Sequence, residues 1–474
     1  MRRVAVIDIV GLAEKCIGPH TPEIAAFRSR GRLARILPAF PAVTCTAQST
    51  YLTGAPASRH GIVGNGWYNR ELAEIQFWKQ SNYLVHGRKL WEELREHDSQ
   101  FTCAKLFWWF NMYSTADFSI TPRPMYPADG RKVFDIYTWP YSLRPEIKAD
   151  LGEFPFPSFW GPAAGVASPA GPPDAASRWI AESAKWIETR HQPTLNLIYL
   201  PHLDYNFQRR SPAGIDPAKS PAADLRDIDA IVGDLIRFFE TRGVQPVLLS
   251  EYGITPVSKP VFLNRIFREQ NWLAIKDELG LELLDSGASK VFAVADHQIA
   301  HVYLNDKSLQ PVVRELLRKT DGVAEVFAPA ERPDYGIAHG RAGDLIAVAA
   351  HDAWFAYYYW LDDARAPDFA RTVDIHRKPG YDPAELFLDP ALKSPKLKIA
   401  RRLLQKKLGF RMLMDVIPLD ATLVKGSHGR IPENPADYPV LITPRHDLLP
   451  GTEGAVTATD VYGILKQHVL QRAD

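Results

Sequence analysis

The sequence predicts an α/β fold on a mostly parallel central sheet, with a small α+β cap inserted into it. Three observations carry that expectation. The runs Val4 to Val10 and Leu195 to Leu200 are largely apolar stretches, the pattern of strands covered on both faces, and Val244 to Ser250 reads as a further strand. Helical patterns, about Asp174 to Arg190 and Ile228 to Arg242, fall between or before them, as parallel connections require. Finally, 474 residues is long for one compact domain and leaves room for an insertion.

Composition narrows the class. Hydrophobic residues make up 46% and charged residues 23%, ordinary values for a globular chain. A net charge of +1 argues against a broad electrostatic surface for a nucleic-acid polymer or an acidic membrane. Cys16, Cys45 and Cys103 are odd in number and unpaired in spacing, so neither a disulfide framework nor a thiolate zinc cluster is indicated, which suits a reducing compartment. Met1-Arg2-Arg3 leads straight into a strand-like run, and Leu345 to Leu361 is too short and too polar, at His351 and Asp352, to span a bilayer. The expectation is a cytoplasmic protein with no membrane segment.

Along the chain, Asp8 stands near the C-terminal end of the first strand, where ligands of open α/β sheets gather. Thr21-Pro22-Glu23 reads as a helix start. Pro38 and Pro41 hold the next entry extended, Thr44 falls at the start of a helix, and Gly54 is placed to end it. The free N–H groups at that N-terminus favour an anion, and the amide of Asn65, in the Gly64-Asn65-Gly66 turn, is placed to fold back towards it. The aromatic run Phe101 to Phe110 reads as core, and Pro122 to Pro173 as a long irregular excursion.

After the strand Leu195 to Leu200 come His202, Asp204 and Gln208; after Val244 to Leu249 comes Ser250-Glu251-Tyr252-Gly253. From Pro260 to Ala350 the pattern changes. Val291 to Leu304 reads as a strand pair or one long strand, Ser308 to Lys319 as a helix, and Ala324 to Ala328 and Asp344 to Ala350 as strands. His339-Gly340-Arg341 is either a surface turn or a cleft-facing one. The segment Asp374 to Asp382 concentrates ionisable groups in a loop. Lys396 to Leu408 is a basic amphipathic helix read as a solvated face. A strand, Tyr438 to Ile442, and a helix, Thr459 to Gln471, complete the chain.

In their order, Thr44, Thr53-Gly54 and His60-Gly61-Ile62-Val63-Gly64-Asn65 resemble the nucleophile region of the alkaline phosphatase superfamily. The likeness is greatest to its nucleotide pyrophosphatase/phosphodiesterase and phosphonoacetate hydrolase branch. It implies a three-layer sandwich whose catalytic core is residues 1–259 and 351–474, with the cap at 260–350. It also implies a metal-dependent hydrolase of phosphate esters acting on a small phosphorylated molecule through a phosphothreonine. Thr44 and Asn65 would be catalytic, and Asp8, Thr44, Asp204, Gln208, Glu251, Tyr252 and His428 would stand at the positions that hold one or two divalent ions, zinc by resemblance.

Three of those positions depart from the family pattern. Gln208 stands where a His is expected four residues after Asp204, and Glu251-Tyr252 where Asp-His is expected. An amide and a phenol are poor zinc ligands, which moves the preference towards manganese or magnesium. One expectation is that His376, beside Asp374, supplies a missing imidazole; His202 is the other candidate. The departures also keep open a degenerate, non-catalytic member that uses the cleft for binding. Cys45-Thr46-Ala47-Gln48-Ser49 lacks the Cys-x-Pro-x-Arg of sulfatases. Monoester, diester, pyrophosphate and phosphonate substrates all remain open, and so does the oligomeric state.

Overall fold

The computed structural model describes residues 1–129, 131–212, 221–449 and 455–471. Every residue of Val4–Ile9 and Leu195–Leu200 is buried, which requires cover on both faces of the sheet they form. Val4–Ile9 is central, parallel to Leu195–Leu200 on one side and to Gln245–Leu249 on the other. Beyond Leu195–Leu200 lie Cys103–Leu106, Phe118–Pro122 and, antiparallel, Ile136–Trp139. Beyond Gln245–Leu249 lie Val440–Thr443 and Arg32–Leu37, successively antiparallel, and then Val456–Thr457.

Two groups of helices supply the cover. One comprises Pro22–Ser29, Ala175–His191 and Ala222–Thr241; the other comprises Thr44–Thr53, Leu90–His97 and Asp460–Leu470. The excursion from Pro122 to Pro173 is more regular than its composition suggests. It contributes the edge strand Ile136–Trp139 and a helix, Leu143–Leu151. Proline and glycine content marked the loops correctly and hid the short elements between them.

A second antiparallel sheet runs in the order Val291–Asp296, Ile299–Leu304, Leu345–Ala349, Val323–Phe327. Its first two strands form a tight hairpin turning at His297-Gln298. This sheet has its own apolar core, which also takes in Tyr68, Phe77, the aromatic run Trp354–Trp360 and residues as far as Val424. A third cluster joins the two bodies: Phe40, Cys45, Ile62 and Trp67 from the nucleophile region pack with Ile299, Ile346 and Val348 of the second sheet. The guanidinium of Arg341 donates to the carbonyls of Gly61 and Leu84 across that seam, so His339-Gly340-Arg341 acts as a clamp.

Candidate active site

Asp8, Thr44, Asp204, Glu251 and His428 come together at the C-terminal edge of the large sheet, though they are scattered over more than four hundred residues of sequence. Thr44 is the first residue of the helix Thr44–Thr53, which ends at Gly54 in the left-handed conformation with φ 65°. A side chain there would strain the backbone and press on the Tyr462 ring. Asp204 lies in the first turn of the helix His202–Arg210, so Gln208, four residues on, shares its face; the Gln208 amide donates to Asp204 Oδ2 at 2.8 Å. Glu251 and Tyr252 follow the strand Gln245–Leu249 after the single residue Ser250. Gly426 approaches the Phe207 carbonyl more closely than any side chain allows, and this approach sets His428 beside Asp204.

Thr44 Oγ lies 3.1 Å from the Tyr252 hydroxyl, which donates in turn to Asp204 Oδ1 at 3.3 Å. The Tyr252 ring stacks on His428 with centroids 3.6 Å apart and planes 7° from parallel. Nδ1 of His428 bonds to the Ala42 carbonyl at 2.8 Å, which fixes the tautomer and turns a bare Nε2 towards Asp204 Oδ1, 3.8 Å away. Glu251 accepts from Gln48 Nε2 at 2.5 Å, and Gln48 Oε1 accepts from the Trp109 backbone.

Burial dominates the electrostatics. It raises Asp8 to about 7 and Asp204 to about 7, and lifts Glu251 well above the ordinary carboxylate range with the added repulsion of Asp8. Burial likewise holds His428 well below its usual value, helped by the neighbouring His297. The buried carboxyls of Asp8 and Glu251 face each other, and Nε2 of His428 is buried without a hydrogen-bond partner. The charge of Asp8 adds to the cost of ionising Glu251. The Gln208 carbonyl accepts from Tyr381 at 2.8 Å, and the Tyr252 hydroxyl lies between Thr44 and Asp204. Among the described residues, no group of three or more His, Cys, Asp or Glu side chains is arranged to hold a metal ion.

Two candidate imidazoles lie elsewhere. His376 sits with Nδ1 3.3 Å from the Phe77 carbonyl. His202 is buried 3.5 Å from Asp224 on the helix Ala222–Thr241. The loop from Asp374 to Asp382 instead contributes a buried ion triad, Lys378 with Asp382 and Glu385, and Tyr381.

The imidazole added to the site is His297, at the tip of the hairpin in the second sheet. It stacks between Tyr381, centroids 3.5 Å apart, and His428, 3.8 Å apart. Its neighbour Asp296 accepts from the Asn65 backbone N–H at 2.7 Å and from Asn65 Nδ2 at 3.0 Å, and pairs with His297 Nδ1 at 2.8 Å. Asn65 Oδ1 accepts from the Cys45 N–H at 3.1 Å. The donors that the sequence suggested for an anion are therefore engaged within the protein. No motif marked Asp296 and His297; the only trace was a polar tip between two apolar runs.

A mostly parallel sheet carrying a helix-terminal threonine beside strand-end carboxylates, under an inserted second sheet, defines an alkaline-phosphatase-like hydrolase fold. Residues 4–382 match the family model of type I phosphodiesterases and nucleotide pyrophosphatases, and the chain belongs to that family. Murine ectonucleotide pyrophosphatase/phosphodiesterase 5, in an inactive threonine-to-alanine form with AMP, shares the fold at TM-score 0.57 and 14% identity, over 99% of this chain and 95% of that one. Phosphonoacetate hydrolase from Sinorhizobium meliloti with phosphonoformate gives TM-score 0.60 and 12% identity, over 99% and 96%. The human ectonucleotide pyrophosphatase/phosphodiesterase 5 gives 0.57 and 13%, over 100% and 96%. No curated protein matches the sequence.

Proposed function

We propose that this chain hydrolyses a phosphodiester or pyrophosphate bond in a small molecule, with Thr44 as nucleophile and a phosphothreonine intermediate. The observation that supports it is the hydrogen-bonded line from Thr44 through Tyr252 to Asp204. The family pattern has an imidazole at position 252; here a phenol stands between a hydroxyl and a carboxylate, a proton path for an alcohol that is inert when protonated. Thr44 Oγ bonds to phosphorus as the bond to the leaving oxygen breaks, the threonine proton passes to the Tyr252 oxygen, and the Tyr252 proton passes to Asp204. Water then attacks phosphorus and releases a proton to solvent, the phosphorus–Oγ bond breaks, and the proton held on Asp204 returns through Tyr252 to Oγ. The oxygen that left as an anion takes a proton from solvent, so one water is consumed per bond cleaved. The positive dipole end of the helix that begins at Thr44 favours the charge of the transferring group.

Asp8 and Glu251, beside Thr44, are the residues that would hold a divalent cation. Their oxygen-only character suits magnesium or manganese better than zinc. When bound, such an ion supplies Lewis acidity that eases ionisation of the hydroxyl. The murine relative described as inactive after a threonine-to-alanine change agrees with a nucleophilic threonine.

One observation favours a second reading, a non-catalytic binding protein: Thr44 is only 3% exposed, and Asp296 occupies the Asn65 donors. Turnover of a nitrophenyl phosphodiester with magnesium, manganese or zinc separates the two. In the enzyme, Thr44→Ala abolishes hydrolysis, and Tyr252→Phe lowers kcat ~10²-fold or more with little change in KM. Absence of turnover with every ion, or unchanged rates in Thr44→Ala, overturns the proposal.

A further inference from the structure

We infer that the helix Pro395–Lys407 docks the protein on an anionic lipid surface. None of its residues is buried. Leu397, Leu404, Leu408 and, just beyond, Phe410 are 71, 56, 64 and 65% exposed. At 100° per residue these three leucines fall within about 40° of one another, an apolar stripe facing away from the molecule, with Leu403, 51% exposed, about 100° to one side. Arg401 flanks the stripe on one side, and Lys396 and Lys407 flank it on the other. The opposite face is fastened down: Lys398 and Arg402 pair with Asp415, and Ile399 packs against the small cluster of Ala384, Val416 and Ile417. The stripe is therefore presented rigidly.

Charge selects the occupant. Eight lysines and arginines and no acid stand between Asp389 and Asp415, and six remain once Lys398 and Arg402 are paired with Asp415, in a chain whose net charge is only +1. A second copy of the chain would set this face against the same positive charge. A neutral apolar partner would leave the flanking cations desolvated. A bilayer of anionic lipids meets both needs, taking leucine and phenylalanine into the acyl boundary while the long basic side chains reach the headgroups. Among the described residues no helix is long and apolar enough to cross a membrane, so the contact is an interfacial one. This departs from the expectation of a merely solvated helix, and it is independent of the hydrolase reading.

Co-sedimentation of the full chain with phosphatidylglycerol-containing vesicles, and with pure phosphatidylcholine vesicles, tests it. Binding is expected to the anionic vesicles alone and to weaken as salt is added. The doubly substituted Leu404→Glu, Leu408→Glu chain is expected to lose it. Arg401→Glu with Lys407→Glu is expected to weaken it ~30-fold. All four side chains are exposed, so both variants should keep the parent melting temperature. Equal binding to both vesicle types, retention by both variants, or capture of polyglutamate without any vesicle binding overturns the inference, the last in favour of an acidic protein partner.

Discussion

At the scale of single residues, the site is defined by its buried carboxyls. Asp8 and Glu251 lie together and buried, and burial raises both carboxyls and makes their ionisation costly. A divalent ion would reverse that cost. Adding manganese should therefore raise the melting temperature of the parent chain, and Asp8→Asn should abolish the rise. Without metal and above neutral pH, the same variant should melt higher than the parent, because it removes a buried charge. Differential scanning fluorimetry across a manganese titration reads both effects; a full manganese response in Asp8→Asn would remove Asp8 from the ligand set. This part of the site was largely legible from sequence. The family resemblance put Asp8, Asp204 and Glu251 in one site, and the strand ends that carry them share one edge of the sheet. Tyr252 could be recognised only as a departure, because its role depends on which atoms its hydroxyl reaches.

At the scale of elements, the hairpin Val291–Asp296/Ile299–Leu304 has the largest consequence. Its sheet packs on the nucleophile region through Ile299, Ile346 and Val348, and His301 bonds the Val63 carbonyl at 2.9 Å, so the tip is firmly seated. Asp296 then stands on the Asn65 donors as an internal anion. Asp296→Ala leaves two buried donors unpaired, an expected loss of ~1–3 kcal/mol. Inorganic phosphate or AMP should restore more stability to this variant than it gives the parent, because an external anion can take the vacated place. Thermal denaturation with and without millimolar phosphate measures the difference; equal shifts in the two proteins would assign Asp296 a purely structural role. Sequence could outline the hairpin but not its docking, since apolar periodicity fixes an element's faces and not the partner each face meets. The loop from Asp374 to Asp382 shows the same limit. Its density of charge marked it as unusual, yet the charges of Lys378, Asp382 and Glu385 satisfy one another, and the residue that reaches the site is Tyr381.

At the scale of the whole molecule, acid stability reports how deeply the large sheet buries its histidines. His468, on the C-terminal helix Asp460–Leu470, bonds Thr443 of the sheet at 2.9 Å, and burial lowers its pKa to about 4 from 6.5. Below pH 6.5 the unfolded chain takes up a proton that the native state refuses, so this residue's contribution is complete above 6.5 and is lost as the pH falls towards 4. Over that window the loss amounts to about 3 kcal/mol. The buried carboxylates act in the opposite sense. Asp8, Asp204 and Asp296, raised to about 7, about 7 and about 6, favour folding in acid and lose that advantage as the pH rises from 3.8 through those values. The two trends overlap, so a single pH profile of the parent separates neither. Comparing the parent with His468→Gln does, because the carboxylate contribution cancels between them. Urea denaturation at pH 7 and pH 4 should show the parent losing about 3 kcal/mol more than the variant, and equal losses would mean that the C-terminal helix opens to admit the proton before the sheet unfolds.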